Sequence, residues 1–323
     1  MKVRFWGTRG SLPVSLGAAE VRAKVRNALG RALSAEFASK LGSDEAIERF
    51  VDQELSFHEA GTFGGNSSCV EIVTDGSEEI VICDAGSGLR ALGQRLIEER
   101  GPSGHVVNIL LSHVHWDHIM GFPFFTPAYI PGNTIRILGC HDTLESALRG
   151  QQSAPCFPVA FSALRSSIEF VRLEPGRAYP LAGLEVTAKS QRHGGDSYGY
   201  RFESGRKAVV YSTDGEHKLD EVAAIEDVVT FFRGADLVVF DAMYSLAEAV
   251  SVKEDWGHSS NLVGVDLCLR AGVRHYCMFH HEPIYDDRTL EQVLTETRRY
   301  EEIARTGERL EVSTAYDGLE IEV

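Results

Sequence analysis

The sequence lacks several features that mark particular classes of protein. Its formal net charge is −15, with 47 acidic against 32 basic residues, which argues against a surface built to bind nucleic acid. No segment approaches the ~20 apolar residues that a transmembrane helix needs. The N-terminal residues also lack the apolar run and small-residue cleavage site of a secretory signal. We therefore expect a cytoplasmic protein with no membrane contact, acting on a small molecule rather than on nucleic acid.

Cysteine is scarce and dispersed, with six residues and no C-x-x-C pair. This distribution favours buried, reduced thiols in a cytoplasmic protein over a disulfide framework. The hydrophobic fraction of 43% and the charged fraction of 24% are ordinary for a globular protein. We expect one domain over residues 1–323, with a helical insertion at about residues 18–55.

Strand-like apolar runs alternate with helical patterns along the chain. Two short runs at 69–73 and 79–84, separated by Asp75-Gly76-Ser77, predict an antiparallel hairpin. The hairpin excludes a purely parallel sheet, and the many strands with interspersed helices imply two sheets between helical layers. The predicted class is α/β (α+β), a four-layer αββα sandwich. Further strands are predicted at 2–6, 106–111, 134–138, 168–173, 184–188, 198–202, 208–211, 237–240 and 276–279, and helices at 89–97, 142–149, 259–271 and 287–303.

The segment at about 18–55 has a helical pattern, unlike the strand-like segments on either side of it. Apolar residues recur at helical spacing from Val21 to Leu41, and Gly42-Ser43-Asp44 supplies a stop and an N-cap before a second pattern that ends at Leu55. This predicts a helical hairpin inserted between the first two strands. A lid over the site, a dimer contact and external packing all remain open as its role.

The segment His113-Val114-His115-Trp116-Asp117-His118 follows the predicted strand at 106–111. Side chains two apart on an extended backbone project the same way, so His113 and His115 can converge on one ion. Asp117 and His118 follow where the strand turns towards a helix, which suits a second ion. Imidazole and carboxylate ligands without thiolate favour Zn²⁺, with Mn²⁺ and Fe²⁺ as alternatives. Two metals ~3.5–4 Å apart are a common arrangement for phosphate ester hydrolysis.

Three more candidate ligands stand at predicted strand ends. His193 follows the strand at 184–188, Asp214 the strand at 208–211, and His280 the strand at 276–279. Strands of one sheet can bring such residues to a common edge. His281 is the alternative to His280.

The HxHxDH pattern resembles the signature of the metallo-β-lactamase superfamily. The resemblance implies that His113, His115 and His193 bind one ion, that Asp117, His118 and His280 bind the other, and that Asp214 bridges both. It also favours His280 over His281. Asp84 is a candidate to accept the other N–H of a ligand imidazole, and an N-cap on the helix near Leu89 is its alternative role.

A closer resemblance is to the phosphodiesterase-like branch, which includes the transfer-RNA 3′-end ribonuclease RNase Z and a cyclic phosphodiesterase. It rests on the segments 5–13, 64–69, 84–90, 258–260 and 316–323. This resemblance implies attack by metal-bound hydroxide, with Asp117 and Asp214 in the catalytic centre. It further implies that His258, held by Asp241, protonates the leaving oxygen. Capping of the helix near Ser259 is the alternative role of His258.

These observations predict a dinuclear metal-dependent phosphodiesterase acting on a small or cyclic, cyclic-nucleotide-like diester. The alternatives are an RNase Z-like RNA-processing endonuclease, a thioester, lactone or β-lactam hydrolase of the same superfamily, and a non-enzymatic sensor. Dimers are common among the relatives, so the resemblance alone raises a homodimer as one possibility. The aromatic patch at 121–125 is either a substrate wall or part of the core.

Overall fold

The computed structural model describes residues 1–34, 36–218, 220–245 and 255–323, and its strands form two seven-stranded sheets. The strands of the first sheet are β1 (Lys2–Gly7), β2 (Cys69–Val73), β3 (Ile80–Cys83), β4 (Val106–Leu110), β5 (Thr134–Gly139), β6 (Ser167–Arg172) and β14 (Glu320–Glu322). They are arranged in the order β14-β1-β2-β3-β4-β5-β6. The predicted hairpin is present, because β2 and β3 pair antiparallel.

The second sheet is built from the middle and the C-terminal part of the chain. Its strands are β7 (Ala178–Leu181), β8 (Leu184–Gln191), β9 (Ser197–Ser204), β10 (Lys207–Ser212), β11 (Leu237–Asp241), β12 (His275–Phe279) and β13 (Glu311–Thr314). Their order is β13-β12-β11-β10-β9-β8-β7.

Helices cover the outer faces of both sheets, and others lie in the insertion and beside the strand ends. They are α1 (Ala18–Ala32), α2 (Asp44–Glu54), α3 (Phe57–Ala60), α4 (Leu89–Arg100), α5 (Trp116–Ile119), α6 (Leu144–Gln151), α7 (Val222–Phe232), α8 (Asn261–Ala271) and α9 (Asp287–Ala304), with 3-10 turns at Phe122–Phe124, Thr126–Tyr129 and Phe161–Ala163. None of the helices among the described residues is long and apolar enough to cross a membrane.

The four layers follow from alternation along the central strands. In β10, Val209 and Tyr211 belong to the core between the two sheets, whereas Val210 packs into a second core with α7 and α8. In the first sheet, Ile109 lies in a third core with Leu92 of α4. A strand that is apolar on both faces must be covered on both faces. The four-layer αββα sandwich predicted from the sequence is confirmed.

The strand directions bring many loops to one edge. Strands β3 to β6 run parallel, and so do β10 to β13. Strand β8 has the direction of β10, because each pairs antiparallel with β9. The segments that follow β8, β10, β11 and β12 therefore leave the second sheet at the same edge.

The sequence pattern predicts most of these elements and misses α3, α7, β7, β13 and β14. Helix α7 (VAAIEDVVTFF) is rich in β-branched and aromatic residues, so neither helical nor strand periodicity stands out. Strands β7 and β13 have four residues each, and β7 contains Pro180. Such short segments are recognised as strands only by their partners in the sheet.

The insertion contains the two predicted helices, α1 and α2. No residue of α1 is buried, and polar contacts attach it to the rest of the fold. Lys24 Nζ lies 2.8 Å from Asp287 Oδ2 at the start of α9, and Arg31 Nη1 lies 3.1 Å from Glu59 Oε2 in α3. Helix α2 buries Phe50, whose ring lies 5.1 Å from that of Phe37.

Candidate metal centre

Three histidines meet at the solvent side of the strand-end edge. His113, His115 and His193 each offer a ring nitrogen, and these atoms lie within 4.8 Å of one another. His193 Nε2 is 3.2 Å from His115 Nδ1. His113 is buried, His193 is partly buried and His115 is exposed, so we name these three residues the open group.

A second set lies deeper. Asp117, His118 and His280, here named the buried group, are all buried. His118 Nε2 lies 3.1 Å from Asp117 Oδ2, and His280 Nε2 lies 3.3 Å from both Asp117 Oδ2 and His118 Nε2. The structure therefore brings together the four candidate ligands of the motif with the histidines that follow β8 and β12.

Asp214 lies between the two groups. Its Oδ2 is 3.7 Å from both His113 Nε2 and His193 Nε2 in the open group. Its Oδ1 is 3.3 Å from His118 Nε2 and 3.2 Å from His280 Nε2 in the buried group. One carboxylate thus presents one oxygen to each group, which is the arrangement that a bridging ligand requires.

The charges in this cluster are strongly coupled. Burial by itself would raise the pKa of Asp214, but His280, His118 and His113 outweigh it and hold that pKa well below its usual value. Burial lowers the pKa of His118, yet the carboxylates of Asp117, Asp214 and Asp84 raise it well above its usual value. Positive charge is therefore strongly favoured at the centre of the cluster.

The donor set fits divalent cations. His113 Nε2 is buried and has no hydrogen-bond partner among the described residues, although a buried ring nitrogen normally has one. The Nε2 atoms of His118 and His280 face each other at 3.3 Å. Two neutral imidazole nitrogens at this distance would repel unless a proton or a cation lay between them. Nitrogen and oxygen donors without sulfur are those that Zn²⁺ and other divalent transition metals accept.

Asp84, which follows β3, contacts the ring of His118 at Nδ1, the nitrogen that does not face the cluster. Its Oδ2 lies 2.8 Å from His118 Nδ1 and accepts a hydrogen bond from Tyr211 Oη at 2.7 Å, while its Oδ1 accepts one from the Ser112 backbone N–H at 2.7 Å. A carboxylate on Nδ1 leaves the His118 Nε2 lone pair free for a cation. The alternative capping role does not apply, because Gly88 is the N-cap of α4.

Backbone strain is concentrated at the same positions. Asp84, Asp214 and His280 have φ values of 62°, 50° and 59°, in the left-handed region that non-glycine residues seldom adopt. Each stands just after a strand end, where the sharp turn aims its side chain across the edge of the sheet. Such strain costs of order 1–3 kcal/mol per residue and typically persists at functional sites.

The two adjacent histidines after β12 point in different directions. His280 Nε2 joins the cluster, whereas His281 Nε2 donates to the Ala315 carbonyl at 2.8 Å. Burial, followed by the nearby Arg9 guanidinium, lowers the pKa of His281 to about 3, which keeps its ring neutral. The geometry thus agrees with the preference for His280 over His281.

The loop after β1 also enters the site, a role that the sequence analysis missed. The Ser11 backbone N–H donates to Asp117 Oδ2 at 2.8 Å. Gly10 packs so closely on the ring of His280 that a Cβ would lie 2.5 Å from its Nδ1. The only available signal was the Gly-rich segment 7–13, which resembles relatives but contains no titratable side chain apart from Arg9.

Asp241 and His258 form a pair beside the cluster. His258 Nδ1 lies 2.8 Å from Asp241 Oδ2, and the carboxylate also accepts from the backbone N–H groups of Gly215 at 3.3 Å and Met243 at 3.1 Å. Burial lowers the pKa of His258, but Asp241 outweighs it and raises the pKa to about 9. The helix-cap alternative for His258 is wrong, because the Ser260 side chain caps α8.

A glycine and an aromatic patch also lie around the site. Gly257 packs closely on His193, and its carbonyl lies 2.8 Å from His193 Nδ1. In the aromatic patch, Phe122 and Phe125 are core residues, while Phe124 is 55% exposed. Core packing therefore accounts for most of the patch.

Comparison with known proteins agrees with this architecture. The family model described as a beta-lactamase superfamily domain matches residues 79–281, which is more than half of the chain. Ribonuclease Z of Oceanobacillus iheyensis is 20% identical over 285 residues, covering 72% of this chain and 89% of that protein.

Solved structures are similar over almost the whole chain. The metallo-beta-lactamase fold protein YhfI from Bacillus subtilis matches with a TM-score of 0.63 and 16% identity, covering 99% of this chain and 98% of that one. A diphosphatase of the PhnP family matches with a TM-score of 0.59 and 20% identity, covering 100% and 97%. The chain therefore belongs to the beta-lactamase superfamily, as a metallo-β-lactamase-fold hydrolase related to ribonuclease Z.

Proposed function

We propose that the protein is a dinuclear metal-dependent phosphodiesterase that hydrolyses a small or cyclic, cyclic-nucleotide-like phosphodiester. The observation that carries the proposal is the pair formed by buried Asp241 and partly buried His258 beside the histidine and aspartate cluster. A phosphodiester expels an alkoxide that needs a proton, whereas β-lactam and lactone cleavage by this superfamily does not need such a pair.

The ligand roles follow the geometry. The open group would hold one cation and the buried group the other, and Asp214 would offer one carboxylate oxygen to each group. When bound, two divalent cations would supply Lewis acidity towards the phosphoryl oxygens and towards water, and Zn²⁺ is favoured over Mn²⁺ and Fe²⁺.

The remaining steps belong to side chains of this protein. Asp241 accepts a hydrogen bond from the Nδ1–H of His258 and so leaves Nε2 as the nitrogen that gives a proton to the leaving oxygen. Asp84 fixes the tautomer of His118 from the opposite side, and the Ser11 N–H restrains the Asp117 carboxylate. These contacts orient the side chains before substrate binds, which lowers the reorganisation needed for catalysis.

Charge and composition support a small substrate in the cytoplasm. A protein with a net charge of −15 gains little from a long polyanion, whose binding depends on clustered Lys and Arg. Five of the six cysteines are buried and all six are free, as in proteins of reducing compartments.

The test is a hydrolysis panel with protein loaded with Zn²⁺ or Mn²⁺. Bis(4-nitrophenyl) phosphate and 2′,3′- and 3′,5′-cyclic nucleotides are compared with nitrocefin and an acyl-homoserine lactone. We expect turnover of one or more diesters and none of the lactam or lactone. Turnover of only the lactam or the lactone would refute the proposal.

An RNase Z-like endonuclease is the second candidate, because the curated relative that covers 72% of this chain is a ribonuclease Z. It predicts cleavage of a transfer-RNA precursor with a rate that falls steeply as salt is raised. The cleavage assay is therefore run at low and high salt beside the small diesters. If the protein cleaves the precursor at a rate equal to that of the small diesters, the endonuclease is favoured.

A further inference from the structure

Ser112 directly precedes His113, and its hydroxyl has no part in the ligand set or in the proton transfer. Its Oγ lies 3.0 Å from Asp84 Oδ1, 2.8 Å from Asp84 Oδ2 and 3.1 Å from His113 Nδ1. Ser112 and Asp84 are 0% exposed and His113 is 2% exposed. Hydrogen bonds between such buried groups are stronger than those on the surface, because the local dielectric constant is low.

The direction of these hydrogen bonds follows from the donors around Asp84. Its Oδ1 accepts from the Ser112 backbone N–H and its Oδ2 accepts from Tyr211 Oη, so the carboxylate acts as an acceptor on both oxygens. A serine hydroxyl has one proton and two lone pairs. Because that proton is donated to Asp84, the hydroxyl can only accept from His113. The hydrogen of the neutral His113 ring therefore lies on Nδ1.

A hydrogen on Nδ1 leaves the lone pair of a neutral imidazole on Nε2. In His113, Nε2 is buried without a hydrogen-bond partner among the described residues, and it lies 3.7 Å from Asp214 Oδ2. The ring thus presents to the cluster the nitrogen that a cation needs. In the opposite tautomer Nε2 would carry the hydrogen, and His113 could not bind a cation through it.

We infer that Ser112 is a positioning residue that links the Asp84 carboxylate to His113 and so fixes the tautomer of a ligand in the open group. Asp84 also contacts His118 Nδ1 directly, at 2.8 Å. One carboxylate thereby orients one histidine of each group, directly in the buried group and through a hydroxyl in the open group. This inference rests on the metal ligands of the proposed function and is independent of the substrate.

The experiment measures the affinity for each ion separately. Zn²⁺-loaded protein is titrated with a competing chelator, and bound metal is determined by elemental analysis. His115→Ala lacks a ligand of the open group, so the ion that it retains should belong to the buried group. Ser112→Ala should lower the affinity for the open-group ion roughly 10–100-fold, the range typical for loss of a group that orients a metal ligand. Added to His115→Ala, it should leave the affinity for the remaining ion unchanged.

Asp84→Asn should give the opposite pattern. The asparagine oxygen at the Oδ1 position still accepts from the Ser112 hydroxyl and backbone N–H, whereas the amide nitrogen faces His118 Nδ1. Added to His115→Ala, this change should lower the affinity for the remaining ion roughly 10–100-fold. The two substitutions therefore act on different ions, although the two side chains are in direct contact.

Matched variants separate the hydrogen bond from packing. Ser112→Thr keeps the hydroxyl and should restore most of the affinity, and the inference fails if it behaves like Ser112→Ala. Ser68→Ala removes a buried hydroxyl that has no hydrogen-bond partner among the described residues, so the affinity for both ions should be unchanged. NMR spectra of the loaded wild type with isotope-labelled histidine report the His113 tautomer without any variant. A hydrogen on His113 Nε2 would overturn the inference.

The outcomes separate this inference from the proposed function. If Ser112→Ala keeps both affinities, or weakens both ions alike, the positioning role is refuted while the phosphodiesterase stands. If Ser112→Ala weakens only the open-group ion and no diester is hydrolysed, the positioning role stands and the phosphodiesterase is refuted. Fewer than two ions per chain in the metal-replete wild type would refute both.

Discussion

The buried group contains one aspartate and two histidines and the open group three histidines, and the two groups are supported differently. Each side chain of the buried group has a supporting contact. Asp84 contacts His118 Nδ1, the Ser11 N–H donates to Asp117, and Gly10 packs on the ring of His280. The open group has the Gly257 carbonyl behind His193, and His115 is exposed. The difference indicates a division of labour, in which the buried half is held rigid and the open half is left accessible to substrate.

The largest predicted effect comes from the residue that joins the two groups. Asp214→Asn keeps the shape and tolerates a φ of 50°, but it removes the charge that faces both groups. We expect metal content to fall from about two ions per chain to fewer than one. Turnover should fall by more than the roughly 10²–10⁴-fold typical for loss of a general acid.

Elemental analysis and diester hydrolysis check this prediction. Asp196→Asn is the matched control, because Asp196 also has a left-handed backbone, with φ of 63°, and lies on the exposed loop after His193. Retention of two ions by Asp214→Asn would show that the groups bind metal independently.

His258 lies at the border of the two groups, with its ring 5.1 Å from those of both His193 and His280. His258→Ala should leave both ions bound and lower kcat roughly 10²–10⁴-fold. Because Asp241 keeps the pKa of His258 raised, to about 9, its proton is present at neutral pH and is lost as the pH rises. Wild-type kcat should therefore fall on the alkaline side.

The pH profile of kcat distinguishes this role from a structural one. Bound cations lower the pKa of His258 by charge repulsion, so the alkaline fall should begin below pH ~9 in the loaded enzyme. In His258→Ala the same fall should be absent. An alkaline limb that persists unchanged in this variant would assign the proton to another group.

A smaller effect on metal affinity is expected when Asp84, which contacts His118 of the buried group, is replaced. Asp84→Asn retains the left-handed backbone but weakens the contact to His118 Nδ1, and the affinity for one ion should fall roughly 10–100-fold. Chelator titration followed by metal analysis measures this change. Tyr211→Phe, which removes only the hydroxyl that donates to Asp84, should have a lesser effect.

The smallest effect concerns His217, a partly buried histidine outside both groups. His217 Nδ1 lies 2.8 Å from Ser259 Oγ, and burial lowers its pKa from 6.5 to about 4. Between these values the unfolded chain binds a proton that folded His217 does not, so the free energy of unfolding falls as the pH falls.

His217→Gln should make that dependence shallower by up to about 1.4 kcal/mol per pH unit. Urea unfolding at several pH values between 4 and 6.5 measures the slope, which is informative even if the variant is less stable overall. An identical slope in the variant would contradict the prediction.

The local sequence pattern was sufficient to predict most of the helices and strands and to identify the candidate ligands. The motif from His113 to His118 is contiguous, and His193, Asp214 and His280 each follow an apolar run that ends at a strand end. The support by Ser11, Gly10 and Gly257 could not be predicted, because these contacts use backbone atoms or the absence of a side chain. Residue type carries no signal for such contacts.

The alternating apolar strands and the spacing of histidine and aspartate were enough to determine the αββα layers and the candidate ligand set. Burial of apolar faces and the chemistry of donor atoms are properties of residue type and order. Which of His280 and His281 faces the cluster was decided only by the tertiary structure, as was the division into buried and open halves. Those choices depend on the left-handed turn at His280 and on loops that meet across the edges of two sheets.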